Sequence, residues 1–266
     1  MKISENININ IDSDRRILWL HIGNNDELHY SFETICDYYE SLDIISSLIK
    51  NNKIKTVVIK SANKKVWSMG GDLELFLKCI STQNIEILNE YAHKCVKNIH
   101  AVNNGFDSDV VVISLLQGNA FGGGFECALA SNYIVSEKHV KYSFPESLFG
   151  TFPGMGAYSF LTRKIGYSKA SKMINSSTKW SANELKDLGI IDIIIENNSD
   201  EELLKLIDNN YFLPKDKFSM ICNSPTLSEL LTIVNEWVKT VMNLDSDKLE
   251  LIQKIVNAQK SIIIKS

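Results

Sequence analysis

Clustered basic residues and long apolar runs are scarce in this chain. Its 28 lysines and arginines are outnumbered by 32 aspartates and glutamates, which gives a formal net charge of −4. Nucleic-acid binding needs clustered lysine and arginine, so a nucleic-acid partner is disfavoured. No apolar run approaches the roughly 20 residues that cross a membrane, and no membrane span is expected.

The five cysteines are scattered and odd in number, and no two are spaced as Cys-x-x-Cys. Neither a disulfide framework nor a zinc knuckle is therefore expected, and reduced thiols are the simplest interpretation. Residues 1–14 lack the basic and apolar segments of a signal peptide. A cytoplasmic location is expected.

The signatures of several enzyme classes are also missing. The sequence has no G-x-S-x-G, H-E-x-x-H or G-x-x-x-x-G-K-[ST] motif, so serine-hydrolase, zincin and P-loop chemistry lack their usual parts. The five histidines do not have ligand spacing, and no metal site is expected.

Two apolar periods alternate along the first part of the chain. Short runs such as residues 56–60 and 110–116 are typical of buried strands, whereas apolar positions three and four apart over residues 85–99 predict an amphipathic helix. This alternation predicts an α/β domain with mostly parallel strands over residues 1–196. Residues 197–266 lack strand signals and are predicted to form a helical C-terminal region.

Two glycine-bearing segments, residues 66–73 and 118–126, each follow a predicted strand. Loops at the carboxyl ends of parallel strands line one crevice, and glycine lets the backbone approach a ligand with its N–H groups still available. A helix N-terminus directly after the second segment favours a bound oxyanion. Taken singly, each segment is explained equally well as a simple turn.

Two glutamates accompany these segments. Glu126 lies in the first turn of the predicted helix, and Glu146 follows Pro145. Their sequence neighbours are apolar: Phe125, Phe144, Leu148 and Phe149. An apolar setting predicts raised pKa values and proton exchange near neutral pH, although local context alone favours two surface glutamates.

These segments resemble the motifs of the crotonase (enoyl-CoA hydratase/isomerase) superfamily. Residues 67–73 (WSMGGDL) resemble F-S-A-G-x-D-L, and residues 118–130 (GNAFGGGFECALA) resemble G-x-x-x-G-G-G-x-E-L-A-L-A. Residues 144–156 (FPESLFGTFPGMG) resemble Q-P-E followed by G-L-x-P-G-x-G. The resemblance implies a crotonase-like ββα spiral core, with the helical C-terminal region covering an acyl pocket and supporting oligomerisation.

The same resemblance implies roles for individual residues. Glu126 and Glu146 would be the catalytic acid and base, and the backbone N–H groups of Met69 and Gly123 would form an oxyanion hole. Implied substrate-binding positions are Gly70, Gly71, Asp72, Gly122, Met155 and Trp237. Core packing explains Met155 and Trp237 equally well. The substrate would be an acyl-CoA or acyl-ACP thioester, with no cofactor.

A closer resemblance is to the diffusible-signal-factor synthases of bacterial quorum sensing. It is carried by residues 71–76 (GDLELF), 91–96 (YAHKCV) and 152–160 (FPGMGAYSF). It implies dehydration of a 3-hydroxyacyl-ACP to a cis-2-enoyl thioester, followed by hydrolysis to the free fatty acid. Two alternatives are a conventional enoyl-CoA hydratase/isomerase and a non-catalytic protein that binds a regulator or sensor. A homotrimer or hexamer is expected.

Overall fold

A computed structural model describes residues 1–196, 198–214, 218 and 222–264, with the side chains of residues 261–264 left out. The strands are β1 (Ile7–Asp12), β2 (Ile17–Ile22), β3 (Thr56–Ser61), β4 (Val66–Ser68), β5 (Val111–Leu116), β6 (Asn119–Phe121), β7 (Tyr133–Glu137), β8 (Lys141–Ser143), β9 (Trp180–Ser181) and β10 (Ile193–Ile195). The helices are α1 (Phe32–Asn51), α2 (Leu73–Ser81), α3 (Ile85–Asn103), α4 (Gly123–Leu129), α5 (Ala157–Ile165), α6 (Tyr167–Asn175), α7 (Ala182–Asp187), α8 (Ser199–Asp208), α9 (Leu227–Met242) and α10 (Ser246–Ile264). Short 3₁₀ helices span Gly105–Asp107 and Glu146–Phe149.

The strands form two sheets. The larger has the order β1-β2-β3-β5-β7-β10, and the smaller has the order β4-β6-β8-β9. Neighbours are parallel except in the pairs β1–β2 and β8–β9. Strands β3, β5 and β7 of the larger sheet are each followed by a strand of the smaller sheet and then by helix. This repeated ββα unit confirms the predicted α/β spiral fold.

Strand β1 lies at one edge of the larger sheet and was not expected from the sequence. Residues 1–14 are mostly polar, but Ile7 and Ile9 are buried while Asn8 and Asn10 are exposed. Alternation of this kind is the signature of a half-buried strand. The strand therefore covers the edge of β2 and contributes only one face to the core.

The C-terminal helices pack onto the spiral core. Helix α9 lies against α3 and helix α10 against α2. Side chains from both helices, including Trp237 and Ile252, belong to the same buried cluster as the strands. The prediction of a helical C-terminal region is confirmed for the described part. Asn197, where that region was predicted to begin, lies outside the described residues, and the boundary at residue 196 stays a prediction.

Helix α4 crosses strand β4 at Gly124, where a methyl group would lie 2.6 Å from the Ser68 carbonyl oxygen. We expect Gly124→Ala to lower the free energy of unfolding by about 3 kcal/mol, the upper end of overpacking costs, because the obstacle is backbone. Chemical denaturation measures this change. Gly189→Ala is the control, since Gly189 has a positive φ of 74° but nothing within 4 Å of the added methyl. A Gly124→Ala loss no larger than this control would contradict the close contact.

Candidate active site

A cavity of about 110 Å³ lies where the two glycine segments meet the C-terminal helices. Most of the predicted site residues line it: Met69, Gly70, Gly71, Gly122, Glu126, Glu146, Met155 and Trp237. The rest of its wall is formed by Leu73, Phe76, Phe149, Thr151, Gly154, Ile255 and Gln259. Asp72 and Gly123 do not contribute to this wall.

The Gly122 turn positions the two glutamates relative to each other. Gly122 has φ 50° and ψ −128°, a backbone conformation that residues with a Cβ rarely adopt. A Cβ at this position would also collide with Oε1 of Glu146. Glycine at this position therefore suits the backbone angles and leaves room for the Glu146 carboxyl group directly against the N-terminus of α4.

Glu126 projects from the first turn of α4 towards the start of helix α5. Its Oε1 accepts hydrogen bonds from the N–H groups of Met155 at 2.8 Å and Ala157 at 2.9 Å. The residue is 1% exposed. Burial raises the pKa of Glu126 to about 7, while the N–H groups of Ala157, Met155 and Gly156 oppose the rise. This carboxyl group therefore exchanges its proton near neutral pH.

Glu146 begins the 3₁₀ helix that follows strand β8. Burial raises its pKa well above the ordinary value, and the nearby charge of Glu126 raises it further. Its Oε2 is buried without a hydrogen-bond partner among the described residues, and so is Oγ1 of Thr151. Unpaired buried oxygens are costly. Two of them in one cavity wall indicate a place for a water molecule or a substrate hydroxyl.

The two backbone donors implied for an oxyanion hole differ in availability. Gly123 is the first residue of α4, so its N–H has no partner within the helix. The two glycine turns touch, since a Cβ on Gly70 would lie 3.7 Å from the nitrogen of Gly123. The Met69 N–H, however, donates to the carbonyl oxygen of Leu28 at 2.6 Å. The Met69 N–H is therefore held by an internal acceptor in this structure, and its role as an oxyanion donor stays a prediction.

Asp72 serves helix α2 instead of the cavity. Its carboxylate accepts hydrogen bonds from the N–H groups of Leu75 at 2.9 Å and Phe32 at 3.2 Å. This is N-capping, a common role for an aspartate directly before a helix. These contacts tie the turn of Gly70 and Gly71 to α1 and α2, and the expected substrate contact of Asp72 stays a prediction.

Apolar side chains close the remainder of the cavity. Trp237 packs across Gly154, where any Cβ would collide with the indole, and its ring meets Phe76 edge-on with centroids 5.1 Å apart. The Sδ atom of Met155 would lie 3.5 Å from a Cβ on Gly123. A mostly apolar pocket with a few convergent polar groups suits a hydrocarbon chain attached to a reactive polar head.

Several lining residues were not singled out from the sequence. Ile255 and Gln259 of the last helix line the same cavity as the glutamates, and nothing in their sequence context indicated this. Thr151 gave no sequence signal. Of the four apolar neighbours of the glutamates, only Phe149 lines the cavity, and Leu148 is exposed.

Over the described ranges, no group of three or more histidine, cysteine, aspartate or glutamate side chains is placed to hold a metal ion. Within the same part of the chain, no helix is both long and apolar enough to cross a membrane.

Comparison with known proteins decides the family. The model of the enoyl-CoA hydratase/isomerase family matches residues 32–209, a span that contains both glycine turns and both glutamates. The chain belongs to the enoyl-CoA hydratase/isomerase family. It is also 30% identical over 146 residues to the peroxisomal fatty acid beta-oxidation multifunctional protein AIM1 of Arabidopsis thaliana. That alignment covers 55% of this chain and 19% of AIM1, so the chain spans only a minor part of this relative.

Solved structures of enoyl-CoA hydratase/isomerase proteins have the same fold. The enoyl-CoA hydratase of Bacillus halodurans superposes with a TM-score of 0.77 at 20% identity, covering 94% of this chain and 100% of that chain. DspI of Pseudomonas aeruginosa is also similar. It superposes with a TM-score of 0.68 at 19% identity, covering 80% of this chain and 78% of that chain.

Burial of Glu126 predicts pH-dependent stability for this family member. The pKa of this group rises from an ordinary value of 4.5 to about 7 on folding. The unfolded chain therefore loses the proton first, and the free energy of unfolding falls as the pH rises from about 4.5 to about 7. Glu126→Gln removes this penalty and is expected to stabilise the protein at pH 8 by up to about 3 kcal/mol, with no gain at pH 4.

Denaturant unfolding at the two pH values measures the effect of Glu126→Gln. Glu250→Gln, at an exposed position of α10, controls for the loss of one carboxyl group. The explanation from burial is wrong if Glu126→Gln gives the same change at pH 4 and at pH 8.

Proposed function

We propose that the chain removes water from, or adds water to, an acyl thioester held in this cavity. In its specific form, the proposal is a 3-hydroxyacyl-ACP dehydratase that also acts as a thioesterase and releases a cis-2-unsaturated fatty-acid signal. The observation that carries the general reaction is the buried pair of Glu126 and Glu146 beside the N-terminus of α4. Buried carboxyl groups with raised pKa values are suited to acid–base catalysis near neutral pH.

The coupling between the two buried carboxyl groups supports this chemistry. Burial raises the pKa of Glu126 to about 7 and the pKa of Glu146 well above its ordinary value, and a charge on Glu126 raises the pKa of Glu146 further. Once Glu126 has lost its proton, loss of the proton from Glu146 is therefore disfavoured. The pair therefore supplies one acid and one base at the same time. Elimination of water needs both, because one group removes the proton α to the carbonyl while the other protonates the departing β-hydroxyl.

Backbone donors would stabilise the charge that develops on the thioester oxygen. Removal of the α-proton places negative charge on that oxygen, and the Gly123 N–H lies at the positive end of α4. Losing one such donor typically costs about 3 kcal/mol of transition-state stabilisation. In this proposal Met69 supplies the second donor once its hydrogen bond to Leu28 is released.

The hydrolytic step and the signal product are supported by the sequence motifs GDLELF and FPGMGAYSF. In that step a glutamate would take a proton from water as the water oxygen attacks the thioester carbonyl, with the same N–H donors stabilising the tetrahedral oxyanion. Collapse of this intermediate would break the C–S bond, and the protonated glutamate would return its proton to the leaving carrier thiolate, which releases the free acid and the carrier thiol. Acyl-ACP is the proposed carrier, acyl-CoA is the alternative, and no cofactor is invoked. A homotrimer or hexamer is proposed, with the C-terminal helices in the contacts.

A conventional enoyl-CoA hydratase/isomerase is the second candidate function, and the family match favours it. Its product would remain a thioester. A purely binding role, with a sensor protein as the partner, is less well supported. Burying two carboxyl groups is costly, and a binding surface gains nothing from such a cost inside a cavity.

Product analysis distinguishes these functions. We expect purified protein given 3-hydroxyacyl-ACP to release a free cis-2-enoic acid, detected by mass spectrometry. Enoyl-CoA is offered in a separate reaction. A product that stays thioesterified with either substrate supports the conventional hydratase, and no turnover of any acyl thioester would contradict both enzymatic proposals.

Substitution of either glutamate tests the acid–base pair. Glu126→Gln and Glu146→Gln are each expected to lower kcat by roughly 10²–10⁴-fold, the usual contribution of a general acid or base. Initial rates at saturating substrate measure the loss. Glu250→Gln on the exposed face of α10 should retain the full rate. Full activity in the double glutamine variant would exclude the proposed chemistry.

Trp237 is expected to limit the length of the acyl chain. Its indole closes the cavity beside Phe76 and Gly154, so Trp237→Ala should shift the preferred substrate to longer chains. Competition among thioesters of different length, followed by mass spectrometry, measures this preference. Val241→Ala is the control, since Val241 is buried on the same helix but does not line the cavity. An unchanged preference in Trp237→Ala would leave this residue with core packing alone.

A further inference from the structure

Residues 24–31, which join β2 to α1, hold the Met69 N–H in an internal hydrogen bond. We call this stretch the latch segment. The Leu28 carbonyl oxygen accepts from Met69 at 2.6 Å, and the Tyr30 N–H donates to the Gly70 carbonyl oxygen at 2.9 Å. The segment therefore pairs with the first glycine turn through two backbone hydrogen bonds on closely spaced residues.

Two buried side chains fix the latch segment from opposite ends. The side-chain amide of Asn63 donates to the carbonyl oxygens of Asn25 at 3.0 Å and Glu27 at 3.2 Å. The hydroxyl of Tyr91 donates to the Tyr30 carbonyl oxygen at 2.7 Å and accepts from the Asp72 N–H at 3.2 Å. Neither Asn63 nor Tyr91 lines the cavity.

We propose that the Leu28 carbonyl competes with the substrate for the Met69 N–H, and that Asn63 and Tyr91 are positioning residues that set how readily this N–H is released. The inference rests on the function proposed above. It adds a conformational step to that function, because the second oxyanion donor becomes available only when the latch segment shifts.

The Met69 N–H can donate either to the Leu28 carbonyl oxygen or to the thioester oxygen of the substrate, and it binds the stronger acceptor. A neutral thioester oxygen offers Met69 no better partner than the Leu28 amide carbonyl that already holds it. A developing oxyanion is a stronger acceptor, since hydrogen bonds to charged groups are about twice as strong as neutral ones. Transfer of the Met69 N–H from the Leu28 carbonyl to the oxyanion therefore stabilises the transition state, but the hydrogen bond to Leu28 is lost. A tighter latch lowers kcat and leaves KM nearly unchanged.

A purely structural role for Asn63 and Tyr91 predicts no rise in kcat. Removing a stabilising contact would then leave kcat unchanged or reduce it. Weakening the latch should raise kcat by roughly three- to ten-fold, the factor that corresponds to one neutral hydrogen bond. The direction of the change therefore separates the two roles.

Asn63→Asp at pH 8 is the sharpest variant. The remaining Oδ1 still accepts from the N–H groups of Lys65 and Val66, so the start of β4 is preserved. The new carboxylate oxygen replaces the amide donor and repels the carbonyls of Asn25 and Glu27. We expect kcat to rise roughly three- to ten-fold with KM within about two-fold, and a smaller rise for Tyr91→Phe.

Matched controls lose the same kinds of group elsewhere. Asn103→Asp removes an amide donor to the Ala130 carbonyl, and Tyr142→Phe removes a buried hydroxyl that donates to Ser136. Both should leave kcat unchanged. A fall in kcat in both latch variants, or an equal rise in the controls, would overturn the proposal.

Amide exchange at Met69 tests the latch without any substrate. The chain has six methionines, so selective ¹⁵N-methionine labelling gives a simple NMR spectrum, and Met69→Leu identifies the Met69 signal. We expect slow hydrogen exchange at Met69 in the unmodified protein and faster exchange in Asn63→Asp and Tyr91→Phe. Fast exchange in the unmodified protein would overturn the latch.

The two readouts keep the latch and the proposed function separable. Slow exchange at Met69 without turnover of any acyl thioester would support the latch contact and contradict the function. Turnover with unprotected Met69, or with kcat insensitive to both latch variants, would support the function and contradict the latch.

Discussion

The contact between the Gly122 turn and the Glu146 carboxyl group is the constraint on which the site depends. Glycine readily adopts the backbone angles of this turn, and because it has no Cβ it leaves room for the carboxyl group. With this contact in place, α4 can start against Glu146, and its first turn carries Glu126 into the same cavity. Two carboxyl groups are thereby buried together, although each would be better solvated elsewhere. The fold holds them there because α4 is tied to β4 through the hydrogen bond from the Trp67 indole to the Gly124 carbonyl.

The architecture was readable from the sequence where local pattern and global fold agree. Buried parallel strands such as β3 and β5 are continuous apolar runs, and α1 and α3 carry clear apolar stripes. Strand β1 was not predicted because residues 1–14 are mostly polar, although Ile7, Ile9 and Ile11 alternate with polar residues as in a half-buried strand. The glycine turns were located from the sequence because their backbone geometry requires glycine, which is visible in the sequence. Contacts that depend on backbone position, such as the hydrogen bond from Met69 to Leu28, leave no such mark.

Asp72 is a second case in which residue type and motif position did not determine the contacts of a side chain. Residue type and motif position suggested a substrate contact, yet the side chain caps α2 and also binds the Phe32 N–H at the start of α1. A carboxylate directly after a glycine turn satisfies both interpretations in sequence. Only the direction of its side chain separates them, and that direction is set in part by the N–H group of Phe32, which lies 40 residues earlier in the chain.

Helix α10 contributes to the wall of the cavity but carries neither of the two glutamates. Ile255 and Gln259 are four residues apart on α10, so they present one face to a cavity whose reactive groups belong to the spiral core. The glutamates and the glycine turns lie on other elements, which precede α10 in the chain. Substitutions at these two positions of α10 can therefore change which acyl chains the pocket accepts and leave the reactive residues unchanged.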